Sequence, residues 1–156
     1  MLKQQLTMKA NELMIGDWVY AIDTNGEKHP CRANNLEYDY TNKRGDFCVD
    51  FYGTGYEAEW PDVAFNVEPI PLTPEILEKN GFKHYHPENK KAEYWQLFTN
   101  GGDINVKKTY GFYRFRIYGK PIKPDAALPS FNGHLYNVHQ LQHALRLCGI
   151  EKEIVL

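Results

Sequence analysis

Alternation of apolar and polar residues through the first half is the feature that most constrains this chain. Trp18, Tyr20 and Ile22 alternate with Asp17, Val19, Ala21 and Asp23. Leu36, Tyr38 and Tyr40 alternate with Glu37 and Asp39, and Phe47, Val49 and Phe51 with Asp46, Cys48 and Asp50. Tyr56, Ala58 and Trp60 alternate with Glu57 and Glu59, and Phe65 and Val67 close the series. A period of two puts each set on one face of a pleated strand. Asn25-Gly26, Asn42-Lys43-Arg44-Gly45 and Gly53-Thr54-Gly55 separate the runs. Asn-Gly accepts the positive φ that a type I′ hairpin turn needs. Short strands at such spacing predict a five-stranded SH3-like β-barrel over residues 1–70. The aromatic faces, with Trp18 and Trp60, are expected in its core and the acidic faces outside. Pro30 has no N–H for a ladder and must lie at an edge or a bulge.

A second domain is expected over residues 71–156, so the fold class is α+β. Thr73 can cap a short linker helix, Pro74 suits its first position, and Gly81 suits its end. Ile76, Leu77 and Phe82 fasten that helix to a core. Tyr94–Phe98, Ile104–Lys108 and Tyr110–Tyr118 read as a small antiparallel sheet, and residues 119–133, rich in Pro and Gly, as a loop. Asn137 and Gln140 have capping-box spacing. Val138, Leu141, Ala144, Leu145 and Cys148 then form the stripe of a C-terminal helix that Gly149 stops. Glu151–Leu156 is expected to return as a final strand.

The net charge of −2 conceals an asymmetry. Residues 1–70 carry 6 basic and 12 acidic side chains, whereas residues 71–156 carry 12 and 8. The halves therefore hold −6 and +4. The three cysteines, Cys31, Cys48 and Cys148, form no CxxC pair. That spacing supports neither a disulfide framework nor a zinc site and fits reduced thiols in a cytoplasm. No apolar run has the length of a signal peptide or a membrane span, so no membrane partner is expected.

Catalytic patterns are not found: there is no P-loop, GxGxxG, GxSxG or HExxH. His139 and His143 are spaced i, i+4, and His84 and His86 could share a strand face. Both pairs read as surface or capping histidines, and no metal or other cofactor is expected. Glu57 and Glu59 read as a solvated strand face, and Cys48 and Cys148 as buried thiols. The most distinctive stretch is 104–124, with Lys107, Lys108, Arg114, Arg116, Lys120 and Lys123 and no acidic residue. Tyr113, Phe115 and Ile117 fall on one face. Lys108, Tyr110, Phe112, Arg114, Arg116 and Tyr118 fall on the other. Together with Lys107 the latter form a candidate binding surface, since basic and aromatic residues on one sheet face can neutralise phosphates and stack bases. The same face could instead dock on the acidic half, which the half-charges favour.

Three stretches carry a family resemblance: 8–19 (MKANELMIGDWV), 70–82 (IPLTPEILEKNGF) and 136–143 (YNVHQLQH). In them the chain resembles a family of small uncharacterised proteins of gut anaerobic bacteria, their phages and their mobile elements. The resemblance implies no activity and no catalytic residue. The expectation is a non-enzymatic binding or adaptor module of a phage or mobile element, with an unknown protein partner. A nucleic-acid accessory protein using residues 107–123 is one alternative. An enzyme with a cleft lined by His84, His86 or His139 is another.

Overall fold

The structure, a computed structural model, describes residues 12–22, 25–38, 47–52, 67–100, 102–118 and 133–156. The chain is α+β and divides into two compact units, residues 1–70 and 71–156. In the first unit β1 (Trp18–Ile22), β2 (Lys28–Tyr38), β3 (Phe47–Tyr52) and β4 (Val67–Pro69) form an antiparallel sheet in the order β3-β2-β1-β4. Among the described residues this sheet is open, with β3 and β4 at its edges. The strand expected over Tyr56–Trp60, with Glu57 and Glu59, lies outside the described residues, as does Phe65.

Backbone bonding explains how β2 accommodates Pro30. Ala33 N–H donates to Asp17 O at 2.9 Å, and Gly16 N–H donates to Ala33 O at 2.6 Å. Odd-numbered residues at this end of β2 therefore turn toward β1, and Pro30 turns the other way. Among the described residues the β2–β3 ladder ends at Arg32↔Tyr52, so it asks no ladder bond of Pro30.

The faces of β1 differ from expectation. Asp17, Val19 and Ala21, expected outside, are fully buried with Cys31, Ala33 and Val67. Trp18 is buried too, while Tyr20 and Ile22 are half-buried. Cross-strand register supplies the reason, pairing Trp18 with Arg32 and Ile22 with Lys28. The Arg32 guanidinium lies 4.8 Å from the Trp18 ring centroid and the Lys28 ammonium 5.8 Å from that of Tyr20. Long basic side chains thus cover the rings, and Lys28 also pairs with Glu68. Asp17 closes the preceding turn, its Oδ2 accepting from Met14 N–H at 2.8 Å. Burial pushes the Cys31 thiol up to about 12.

The second unit contains α1 (Pro74–Lys79), β5 (Lys83–Tyr85), β6 (Tyr94–Thr99), β7 (Gly102–Thr109), β8 (Phe112–Tyr118), β9 (Gly133–Leu135) and α2 (Val138–Leu147). Its five strands form an antiparallel meander in chain order. Thr73 Oγ1 accepts from Ile76 N–H at 3.3 Å, Pro74 opens α1, and Gly81 follows it at φ +81°. The Glu75 carboxyl is held below the usual range by its own backbone N–H and then by the Thr73 hydroxyl. At α2, Gln140 Oε1 accepts from Asn137 N–H at 3.2 Å and Tyr136 N–H at 2.7 Å. Val138, Leu141, Ala144 and Leu145 are buried on the stripe, Cys148 is half-buried, and Gly149 adopts φ +70°.

Two elements differ from expectation in this unit. Gly133–Leu135, which starts at the last residue of the expected loop 119–133 and lies outside every expected element, pairs with Tyr113–Phe115 as β9. Residues 151–156 form no strand. Asn80 holds them instead: its Nδ2 donates to Val155 O at 2.7 Å and its Oδ1 accepts from Val155 N–H at 2.9 Å. One side-chain amide so provides the pair of bonds a neighbouring strand would give, and Ile154 is buried.

The core face of the meander carries Trp95, Leu97, Ile104, Val106, Tyr113, Phe115 and Leu135, all buried. The Trp95 indole N–H donates to Glu78 Oε1 of α1 at 3.2 Å. Tyr113 gives this core a pH signature. Burial first, then the charges of Glu75 and Glu93, pushes its phenol up to about 12. Below its ordinary value of about 10 it is neutral in both folded and unfolded chains. As pH rises from about 10 toward 12 the unfolded chain ionises first, so stability falls, by about 3 kcal/mol in all for this group. Tyr113→Phe is expected to lose less melting temperature than the unaltered chain across that window. Parallel alkaline melting curves would contradict the assignment.

Candidate binding face

The register of the meander determines which side chains stand together opposite its core. Tyr85 pairs with Tyr94 and Lys83 with Gln96. Gln96 pairs with Asn105, and Asn105 in turn with Arg116. Phe98, Asp103 and Tyr118 follow in one cross-strand row, and Lys107, Arg114 and His134 in another. Residues paired across antiparallel strands point the same way, so all of these share the outward face. Phe98 and Tyr118 are about half exposed, Arg116 is exposed and Arg114 half-buried.

Rings and cations interleave across it. Tyr85 and Tyr94 stack with centroids 5.1 Å apart, and the Lys83 ammonium lies 5.6 Å from the Phe98 ring. Phe112 lies 4.2 Å from His134 and 5.8 Å from Tyr136. Arg116 donates to the Tyr118 hydroxyl at 3.4 Å. The carboxylate on these rows, Asp103, accepts from Gln96 Nε2 at 3.2 Å. Asn105 Oδ1 is buried without a hydrogen-bond partner among the described residues. Such an acceptor costs about 1–3 kcal/mol.

A cleft of about 430 Å³ opens on this face, lined by Tyr94, Asn105, Lys107, Arg114, Arg116 and Tyr118. A second, of about 470 Å³, lies at the β7–β8 turn, and Lys107 lines both. Lys107 stands directly opposite Arg114. Like charges in that position destabilise a sheet. The arrangement therefore suits an anion better than it suits the fold.

Of the residues expected at the surface, Lys107, Phe112, Arg114, Arg116 and Tyr118 share the outward face. Lys108 does not. Continuous alternation from 108 to 118 would place it with Arg114, but the two-residue turn Tyr110-Gly111 reverses the chain and changes the parity. Gly111 takes φ +82° there, and Lys108 pairs with Tyr113, its ammonium 6.0 Å from that ring. Tyr110 sits in the turn itself, fully exposed. Lys120 and Lys123 lie outside the described residues. Tyr85, Tyr94, Phe98, Lys83 and Asn105 complete the face without having been singled out. Alternation within Tyr94–Thr99 was the available signal for two of them.

Comparison with family models, curated proteins and solved structures returns no match.

The histidines fall elsewhere. His84 lies on the opposite side of β5 from Lys83 and Tyr85, stacked on Trp95 at 4.5 Å. Its ring nitrogens lie 3.2 Å from Glu78 Oε1 and 2.8 Å from Glu93 Oε1. His86 does not share its strand face: β5 ends at Tyr85, and His86 takes φ +55° in the turn that follows. His139, expected at the surface, is buried on α2 with its ring centroid 5.7 Å from that of His143. Asn137 precedes the helix, so His139 is at its second position and turns inward beside Val138. No three His, Cys, Asp or Glu side chains among the described residues are grouped to hold a metal ion. No helix among them is long and apolar enough to cross a membrane.

Proposed function

We propose that this chain is a non-enzymatic, cytoplasmic binding protein of a phage or mobile element, whose outward meander face holds single-stranded nucleic acid. The observation that carries the reading is the like-charge row Lys107↔Arg114, flanked by Arg116, Tyr94 and Tyr118 around one cleft. Cations that repel each other in the free protein become favourable when phosphates lie between them. Exposed rings beside them offer stacking worth about 1–3 kcal/mol per base, which only unpaired bases can reach. In the same proposal the first unit is an SH3-like adaptor that recruits a protein partner.

The test is fluorescence anisotropy with a labelled single strand and its blunt duplex over a salt series. The single strand is expected to bind more tightly, with log affinity falling by about 2 per tenfold rise in salt. That slope follows from about 0.7 for each of the three phosphate contacts that Lys107, Arg114 and Arg116 would make. Equal affinity for the duplex, or no binding at low salt, would defeat the reading.

A further inference from the structure

We infer that the cleft at the β7–β8 turn receives the terminal phosphomonoester of a nucleic-acid strand. The inference rests on the reading of the adjoining face and names what lies at its end. Lys90, Lys91, Lys107 and Lys108 all line this cleft, with Glu93 and Tyr110. Two of the lysines come from the turn before β6 and two from the end of β7, so the fold brings four lysines to the lining of one space of about 470 Å³. Glu93, whose Oε1 is 2.8 Å from His84 Nε2, sets one carboxylate charge against the four lysines.

Charge density decides what fits. An internal phosphodiester brings one negative charge. A terminal phosphomonoester brings about 1.5 to 2 at neutral pH, on three acceptor oxygens. Lysine ammoniums are point charges with rotatable donors, which suit a freely turning terminal group. Position agrees with charge. Lys107 joins this cleft to the one on the outward face, so a strand lying there leads into it. At Tyr110-Gly111 the β7–β8 ladder stops. Tyr110, fully exposed at the tip, is placed to stack the last base.

The experiment compares one oligonucleotide in three forms: 5′-phosphate, 3′-phosphate and hydroxyl-ended. One phosphorylated form is expected to bind about tenfold more tightly than the hydroxyl form, a difference of one extra charge-assisted contact. Which form gains tells which end enters the cleft. The gain should shrink as pH falls below about 6, where the phosphomonoester takes up its second proton. Lys90→Ala with Lys91→Ala should remove the gain and leave hydroxyl-ended affinity within about twofold, since the face contacts are intact. Equal affinity of all three forms overturns the inference and leaves the face standing. If no oligonucleotide binds, titration with inorganic pyrophosphate tests the cleft alone. Pyrophosphate binding that the lysine variant loses would show an anion site that takes no strand end and so overturns the inference, as does absence of pyrophosphate binding.

Discussion

Replacing Trp95 with alanine is expected to cost about 3–5 kcal/mol, enough to bring a single small unit to the edge of unfolding. Trp95 is 1% exposed at the centre of the meander's core face. Its ring stacks on His84 at 4.5 Å and meets Tyr113 edge-on at 6.0 Å. Its indole N–H ties β6 to Glu78 of α1. Alanine would remove the ring from all three neighbours and leave a cavity that β6, paired on both sides, cannot close by moving. Trp95→Phe keeps most of the volume and loses the hydrogen bond, and should cost roughly 1–2 kcal/mol. Urea unfolding followed by circular dichroism measures both. A loss below about 1 kcal/mol for the alanine variant would contradict this packing.

Local signals in the sequence carried the caps and the single-strand periods. Thr73, Pro74, Gly81, Asn137, Gln140 and Gly149 do the work their chemistry suggests, because a helix terminus is satisfied by residues a few positions away. Tyr113 and Phe115 point inward and Arg116 outward, because alternation within one strand is local as well. What was not legible depends on partners distant in sequence. The covering of both faces of β1 was hidden, because Arg32 and Lys28, brought over Trp18 and Tyr20 by register, cannot be seen in β1 alone. Lys108 was placed on the wrong face because a turn of two residues changes the parity of everything before it. The segment 151–156 carries a strand-like composition, yet Asn80, 75 residues away, supplies its bonds. The binding face was half legible for the same reason: β8 announced itself by charge, while Tyr94, Phe98 and Asn105 join it through pairings that only the meander reveals.

Arg114→Ala with Arg116→Ala is expected to weaken single-strand binding by about a hundredfold at low salt, from two charge-assisted contacts of about 1.5 kcal/mol each. Stability should not suffer. Arg114 faces Lys107, so its removal relieves a repulsion, and Arg116 is exposed with the Tyr118 hydroxyl as a partner at 3.4 Å. The melting temperature should therefore hold or rise slightly. The most direct measurement is the salt dependence of single-strand affinity, taken side by side for the unaltered chain and the double variant. The account predicts that the slope of log affinity against log salt flattens by about 0.7 for each lost contact, in a protein that melts as before. A slope left unchanged, together with a lowered melting temperature, would show that these arginines hold the chain to itself and would contradict the nucleic-acid face.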